Sequence, residues 1–77
     1  MTTLTVSNGY QASLPEVGKV RGLRNLTEKS VTKAVREELR RWYGFEDVEV
    51  PCEAALTAHG WEGRCKIHGE PLRYKLS

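Results

Sequence analysis

Four residues in the C-terminal third have side chains that bind metals or act as nucleophiles: Cys52, His59, Cys65 and His68. Their spacings are Cys-x6-His and Cys-x2-His, with twelve residues between the two cysteines. A structural zinc site needs four such ligands converging tetrahedrally, and close pairs usually supply them. Only Cys65-Lys66-Ile67-His68 has that form. In a strand, residues 65 and 68 point to opposite faces, so the favoured reading is two free thiols and no metal. A Cys52–Cys65 disulfide would be reduced in a cytosol. Nucleophilic catalysis needs a nucleophile, a base and a group that orients the base. Neither histidine sits in such a pattern, so no catalytic residue is assigned and no cofactor is expected. Gly18-Lys19-Val20-Arg21-Gly22 lacks the Lys-Ser or Lys-Thr ending of a phosphate loop.

The remaining chemistry is charge. Lys29, Lys33, Arg36 and Arg40 recur at i, i+4, i+7 and i+11, one stripe of a helix. Glu37 and Glu38 flank it. Arg64, Lys66, His68, Arg73 and Lys75 alternate along a later stretch and would share one face of a β-hairpin. Charged outer faces are normal on packed elements. Their functional reading is an acidic partner, contacted by Lys33, Arg36, Arg40, Arg64, Lys66, Arg73 and Lys75. A nucleic acid would use the same cations on phosphates, with Tyr10, Trp42, Tyr43 or Trp61 stacking if exposed.

The element positioning the first stripe is a helix over Asn25–Gly44. Val31, Val35, Leu39 and Trp42 fall at i, i+4, i+8 and i+11, with Ala34 beside them. Asn25 or Thr27 can cap the start, and Gly44 can close the end. Glu28 in the first turn and Arg40 and Arg41 in the last suit the helix dipole.

The flanks read as strands. Thr3–Val6 and Tyr10–Leu14 alternate about Ser7-Asn8-Gly9, whose Asn-Gly pair tolerates positive φ. Pro15 ends the second strand. Val20 and Leu23 could anchor a short third strand before the helix. Phe45–Cys52 reads as another strand, with Val48, Val50 and Cys52 facing one way and Pro51 marking an edge or end. Glu53–Gly60 reads as a helical turn or a loop. Trp61–Leu76 reads as a second hairpin about His68-Gly69-Glu70-Pro71. Its inner face carries Trp61, Gly63, Cys65, Ile67, Leu72, Tyr74 and Leu76. The order ββ(β)αβββ predicts an α+β two-layer sandwich, one helix packed on a mainly antiparallel sheet.

Composition bounds the function. Seventy-seven residues make a single small α+β domain, residues 1–77. A chain this short buries only about 60% of its unfolded surface, so a homodimer is expected to help. A hydrophobic content of 39% with two Trp points to a folded chain. Twelve basic and ten acidic residues leave a net charge of +2. The pI of 8.7 is below that of an overtly nucleic-acid-binding module. No apolar run reaches the roughly 20 residues of a membrane span. Met1–Val6 has neither a basic start nor a long apolar run, so a cytoplasmic location is expected.

Asn8–Trp42 resembles the HicB antitoxin family. The family's second strand reads Gly-Tyr-x-Ala-x-x-Pro-Glu/Asp, and here Gly9-Tyr10-Gln11-Ala12-Ser13-Leu14-Pro15-Glu16 occupies that stretch. The family's Thr-Leu-x-Glu-Ala helix start is matched more loosely by Asn25-Leu26-Thr27-Glu28-Lys29-Ser30. Phe45–Val50 is similar to the strand that follows the helix in related actinobacterial sequences. Val17-Gly18 stands where the family has a Pro-Gly turn. The resemblance covers about half the chain. It implies a degenerate ribonuclease-H-like module that binds a small ribonuclease toxin and often dimerises. No DNA-binding domain follows the helix here, so operator binding is not implied. A phage or mobile-element protein inhibiting a host protein is the alternative.

Overall fold

In a computed structural model of the protein, the described residues are 2–17 and 22–77. The helix predicted over Asn25–Gly44 forms as α1, Glu28–Tyr43. Thr27, not Asn25, caps it, its hydroxyl accepting the Ser30 N–H at 3.1 Å. Asn25 falls instead in a 3-10 turn, Leu23–Asn25. Gly44 ends the helix at φ 97°, a conformation that disfavours any side chain, while its N–H still donates to the Arg40 carbonyl.

Six strands form one sheet: β1 Thr3–Val6, β2 Gln11–Ser13, β3 Val48–Glu49, β4 Ala55–Thr57, β5 Gly60–Ile67 and β6 Glu70–Leu76. The order is β2-β1-β6-β5-β3, with β4 also on β5, and every pairing among the described residues is antiparallel. The fold is therefore the expected α+β arrangement of one helix on a mainly antiparallel sheet.

The β5–β6 hairpin pairs in the register the alternation predicts, Trp61 with Leu76, Gly63 with Tyr74 and Cys65 with Leu72. Its turn is tighter than expected. His68 (φ 51°) and Gly69 (φ 80°) alone make the loop, while Glu70 and Pro71 belong to β6. Pro71 is tolerated because β1 pairs only with Leu76, Lys75 and Tyr74, leaving the other side of β6 open at residue 71. In the first hairpin Gly9 takes positive φ, whereas Asn8 uses its side-chain oxygen to accept the Tyr10 N–H.

Several expectations need correction. Phe45–Cys52 is not one strand. Only Val48 and Glu49 pair, and residues 50–54 pass residues 63–65 of β5 without pairing before β4 resumes the same edge. Pro51 has no N–H to offer a ladder, which is why the break falls there. Val50 stays buried, but Cys52 is exposed rather than inward-facing. The ambiguous stretch Glu53–Gly60 contains β4, joined to β5 by a turn in which the Thr57 hydroxyl accepts the His59 N–H and donates to the Gly60 carbonyl. The suggested third strand is not found at Leu23, and Val20 lies outside the described residues.

The core lies between α1 and one sheet face. Val31, Val35 and Leu39 are buried with Leu4, Val6, Val48, Ile67, Tyr74 and Leu76. Trp42 was expected beside them and is 62% exposed. An indole N–H needs an acceptor, and Glu38 supplies one at 2.7 Å one turn back. Trp61 is buried as expected, and its N–H donates to the Leu23 carbonyl at 2.7 Å, tying the 3-10 turn to β5.

Tyr74 crosses Gly63, and a Cβ at position 63 would collide with its ring and hydroxyl. Gly63→Ala should therefore cost about 1–3 kcal/mol in urea denaturation, the scale of overpacking a core. Burial pushes the Tyr74 phenol up to about 12, with the Thr32 hydroxyl acting in the opposite sense. An unfolded tyrosine ionises near pH 10. Between pH 10 and 12 the unfolded chain sheds this proton and the folded chain keeps it, so stability falls as pH rises. Relative to wild type, Tyr74→Phe should retain on the order of 2 kcal/mol more of its neutral-pH stability at pH 12, read from denaturant midpoints.

Candidate functional site

The helix covers one sheet face, so its outer surface and the opposite sheet face are separate surfaces. The seven predicted contact residues divide between them. Lys33, Arg36 and Arg40 lie on the helix, and Arg64, Lys66, Arg73 and Lys75 lie on the hairpin's outward face.

The hairpin cations have carboxylate neighbours. Arg64 grips Glu53 with Nε at 3.2 Å and Nη2 closer still. Lys75 stands across from Glu62 and Lys66 across from Glu49. Arg73 stands across from Arg64, whose charge Glu53 already offsets. Exposed pairs of this kind add little stability, but they flatten the local field. His68 is held by Asp47, with Nδ1 3.5 Å from the carboxylate and its own N–H on the Asp47 carbonyl.

The helix cations are arranged differently. A groove of about 890 Å³ runs between α1 and the connection bearing Cys52. Lys29, Lys33, Arg36, Arg40 and Arg41 line it, against a single carboxylate, Glu37. Phe45, just past the helix end, forms an apolar wall and is 76% exposed. The Arg40 guanidinium lies 5.6 Å from the Phe45 ring centroid, within cation–π range. The Nε atoms of Arg36 and Arg40 are buried and have no hydrogen-bond partner among the described residues. A charged donor in that state is costly and favours any acceptor that reaches it.

Sequence reasoning missed Phe45, which read as the start of a strand. The available signal was its position directly after the helix-closing Gly44. It also missed a cluster on the other flank of α1. There Glu38 Oε1 accepts the Tyr10 hydroxyl at 3.1 Å and the Trp42 indole N–H at 2.7 Å, while Arg41 stands 4.0 Å from Oε2. Burial, then the hydrogen bond to Glu38, holds the Tyr10 phenol far above its usual ionisation range, so it remains a donor. Glu38 and Trp42 have i, i+4 spacing, but nothing in the sequence placed Tyr10 on them.

The cysteines and histidines do not converge. His59 and His68 flank opposite ends of β5, Gly60–Ile67, which puts roughly 25–30 Å of strand between them. Cys65 is buried in the core and Cys52 is exposed. No group of three or more His, Cys, Asp or Glu side chains among the described residues could hold a metal ion. Among the described residues, no helix is long and apolar enough to cross a membrane.

No protein-family model, curated protein or solved structure matches this chain.

The two thiols should be kinetically distinct. A chromogenic aryl disulfide should titrate Cys52 rapidly in native protein and Cys65 only after unfolding, because burial both shields that thiol and pushes its pKa up. Fast reaction of both thiols without denaturant would contradict the burial of Cys65.

Proposed function

We propose that this chain is a non-catalytic protein-binding module that holds an acidic surface of its partner in the groove along α1. The single observation carrying this reading is the concentration of cations in that groove, where Lys29, Lys33, Arg36 and Arg40 form one stripe and Arg41, shared with Glu38, adds to them against one lining carboxylate. The hairpin face, whose cations stand beside Glu49, Glu53 and Glu62, contributes less. The resemblance to HicB antitoxins supports a partner such as a small ribonuclease toxin, blocked or sequestered in the cytoplasm. A host protein bound by a phage-encoded inhibitor would meet the same groove. Homodimer formation belongs to this reading and is measured by sedimentation velocity.

A nucleic acid is the competing partner, with Phe45 as the stacking platform beside Arg40. Affinity capture from native cytosol, followed by calorimetry with the recovered protein, tests the first reading. Lys33→Glu/Arg36→Glu should weaken that complex at least tenfold, equivalent to about 1.4 kcal/mol. Arg73→Glu/Lys75→Glu should weaken it less than about threefold, as expected of a rim charge. Equal losses from the two pairs would remove the groove as the contact surface. Gel shifts with single-stranded DNA, duplex DNA and RNA, combined with failure to recover a protein, would replace this reading with the nucleic-acid one.

A further inference from the structure

We infer that the groove's occupant is an amphipathic helix of the partner, carrying carboxylates at i, i+4, i+7 and i+11 and lying along α1. This rests on the reading of the groove as a protein-binding site and adds the shape of the ligand.

The geometry comes from α1 itself. At 1.5 Å rise and 100° per residue, Lys29, Lys33, Arg36 and Arg40 sit within an arc of about 60°. Their axial separations are about 6, 4.5 and 6 Å, some 16.5 Å in all. A facing helix has the same rise, so carboxylates at the same intervals meet all four cations in register. An extended strand presents same-side residues about every 6.7 Å, at roughly 0, 6.7 and 13.4 Å, and drifts out of step by the third cation at about 10.5 Å. Helices packed side by side keep their axes about 8–10 Å apart, a gap that long lysine and arginine side chains bridge.

Two further observations suit such a ligand. The unpartnered Nε donors of Arg36 and Arg40 lie in the middle and at the far end of the stripe. A carboxylate that draws either guanidinium outward by a rotamer change satisfies that donor. Phe45 stands beyond Arg40, exposed and on the groove wall, so an apolar side chain about one turn past the last carboxylate would cover it. The ligand is thus acidic along its length and apolar at one end.

The test uses the full chain and three fluorescein-labelled peptides of identical composition. The first is an alanine-based helix with Glu at i, i+4, i+7 and i+11 and Leu one turn on. The second distributes the same residues around the helix. The third moves the proline that all three carry at one terminus into the centre, so that no continuous helix forms. Anisotropy titrations at low salt should show the patterned peptide binding at least tenfold tighter than either other one. Lys33→Gln/Arg36→Gln should reduce that binding about tenfold and Phe45→Ala several-fold, with unchanged far-UV circular dichroism of the protein. Equal affinity for all three peptides would overturn the helical inference and leave the acidic-protein reading standing, since the groove would then count charge without reading its spacing. Binding of a single-stranded RNA with no binding of any peptide would overturn both.

Discussion

The whole fold depends on a single helix shielding a whole sheet face from water. Val31, Val35 and Leu39 contribute the entire fully buried apolar stripe of α1, and Leu4, Val6, Ile67 and Leu76 meet it from four positions on three strands. A chain of 77 residues has no second helix to spare among its described elements, so the margin is narrow. The aromatic Tyr74 fills the space over Gly63. This burden also determines what the helix can do on its other side. A helix that commits one narrow stripe to the core leaves most of its circumference to solvent, and the charges placed there are free to serve a partner.

The periodic parts of this layout were legible. A stripe at 3.6-residue spacing and an alternation at two are direct imprints of burial, so α1, the first hairpin and the register of β5 on β6 could be read from residue types alone. The places where reading failed share a cause. Trp42 occupies the correct angular position for the core, but angular position ignores the indole's need for an acceptor, which Glu38 met one turn back. Phe45 and Cys52 followed the alternation of a strand that Pro51 interrupts, and β4 was too short at Ala55–Thr57 for any period to show. For Trp42, Phe45 and Cys52 a hydrogen bond or its absence outweighed the hydrophobic pattern.

The site was half legible for the same reason. Spacing revealed which cations share an element, although His68, read with the hairpin face, sits in the turn with its ring 5.7 Å from that of Tyr43. It did not reveal what stands opposite them. The hairpin cations meet Glu49 and Glu62 across strands and Glu53 from the unpaired connection, and none of those neighbours is local in sequence. The helix cations have fewer such neighbours, Glu37 in the groove lining and Glu38 beside Arg41, and that difference, invisible to periodicity, separates a largely self-neutralised surface from one with charge to offer.

Net charge therefore describes this molecule poorly. A balance of +2 would argue against electrostatic recognition if the charges were mixed evenly. They are not, and distance keeps them from cancelling. The molecule measures 33 × 21 × 20 Å, so carboxylates on the open sheet face stand across the thickness of the domain from the groove. At physiological ionic strength the screening length is about 8 Å, and charges more than two such lengths away are nearly silent. An approaching partner at the helix experiences the five cations with Glu37 and Glu38, not the molecular average. A weakly charged chain can present a basic groove when carboxylates such as Glu49 and Glu62 lie among the hairpin cations instead.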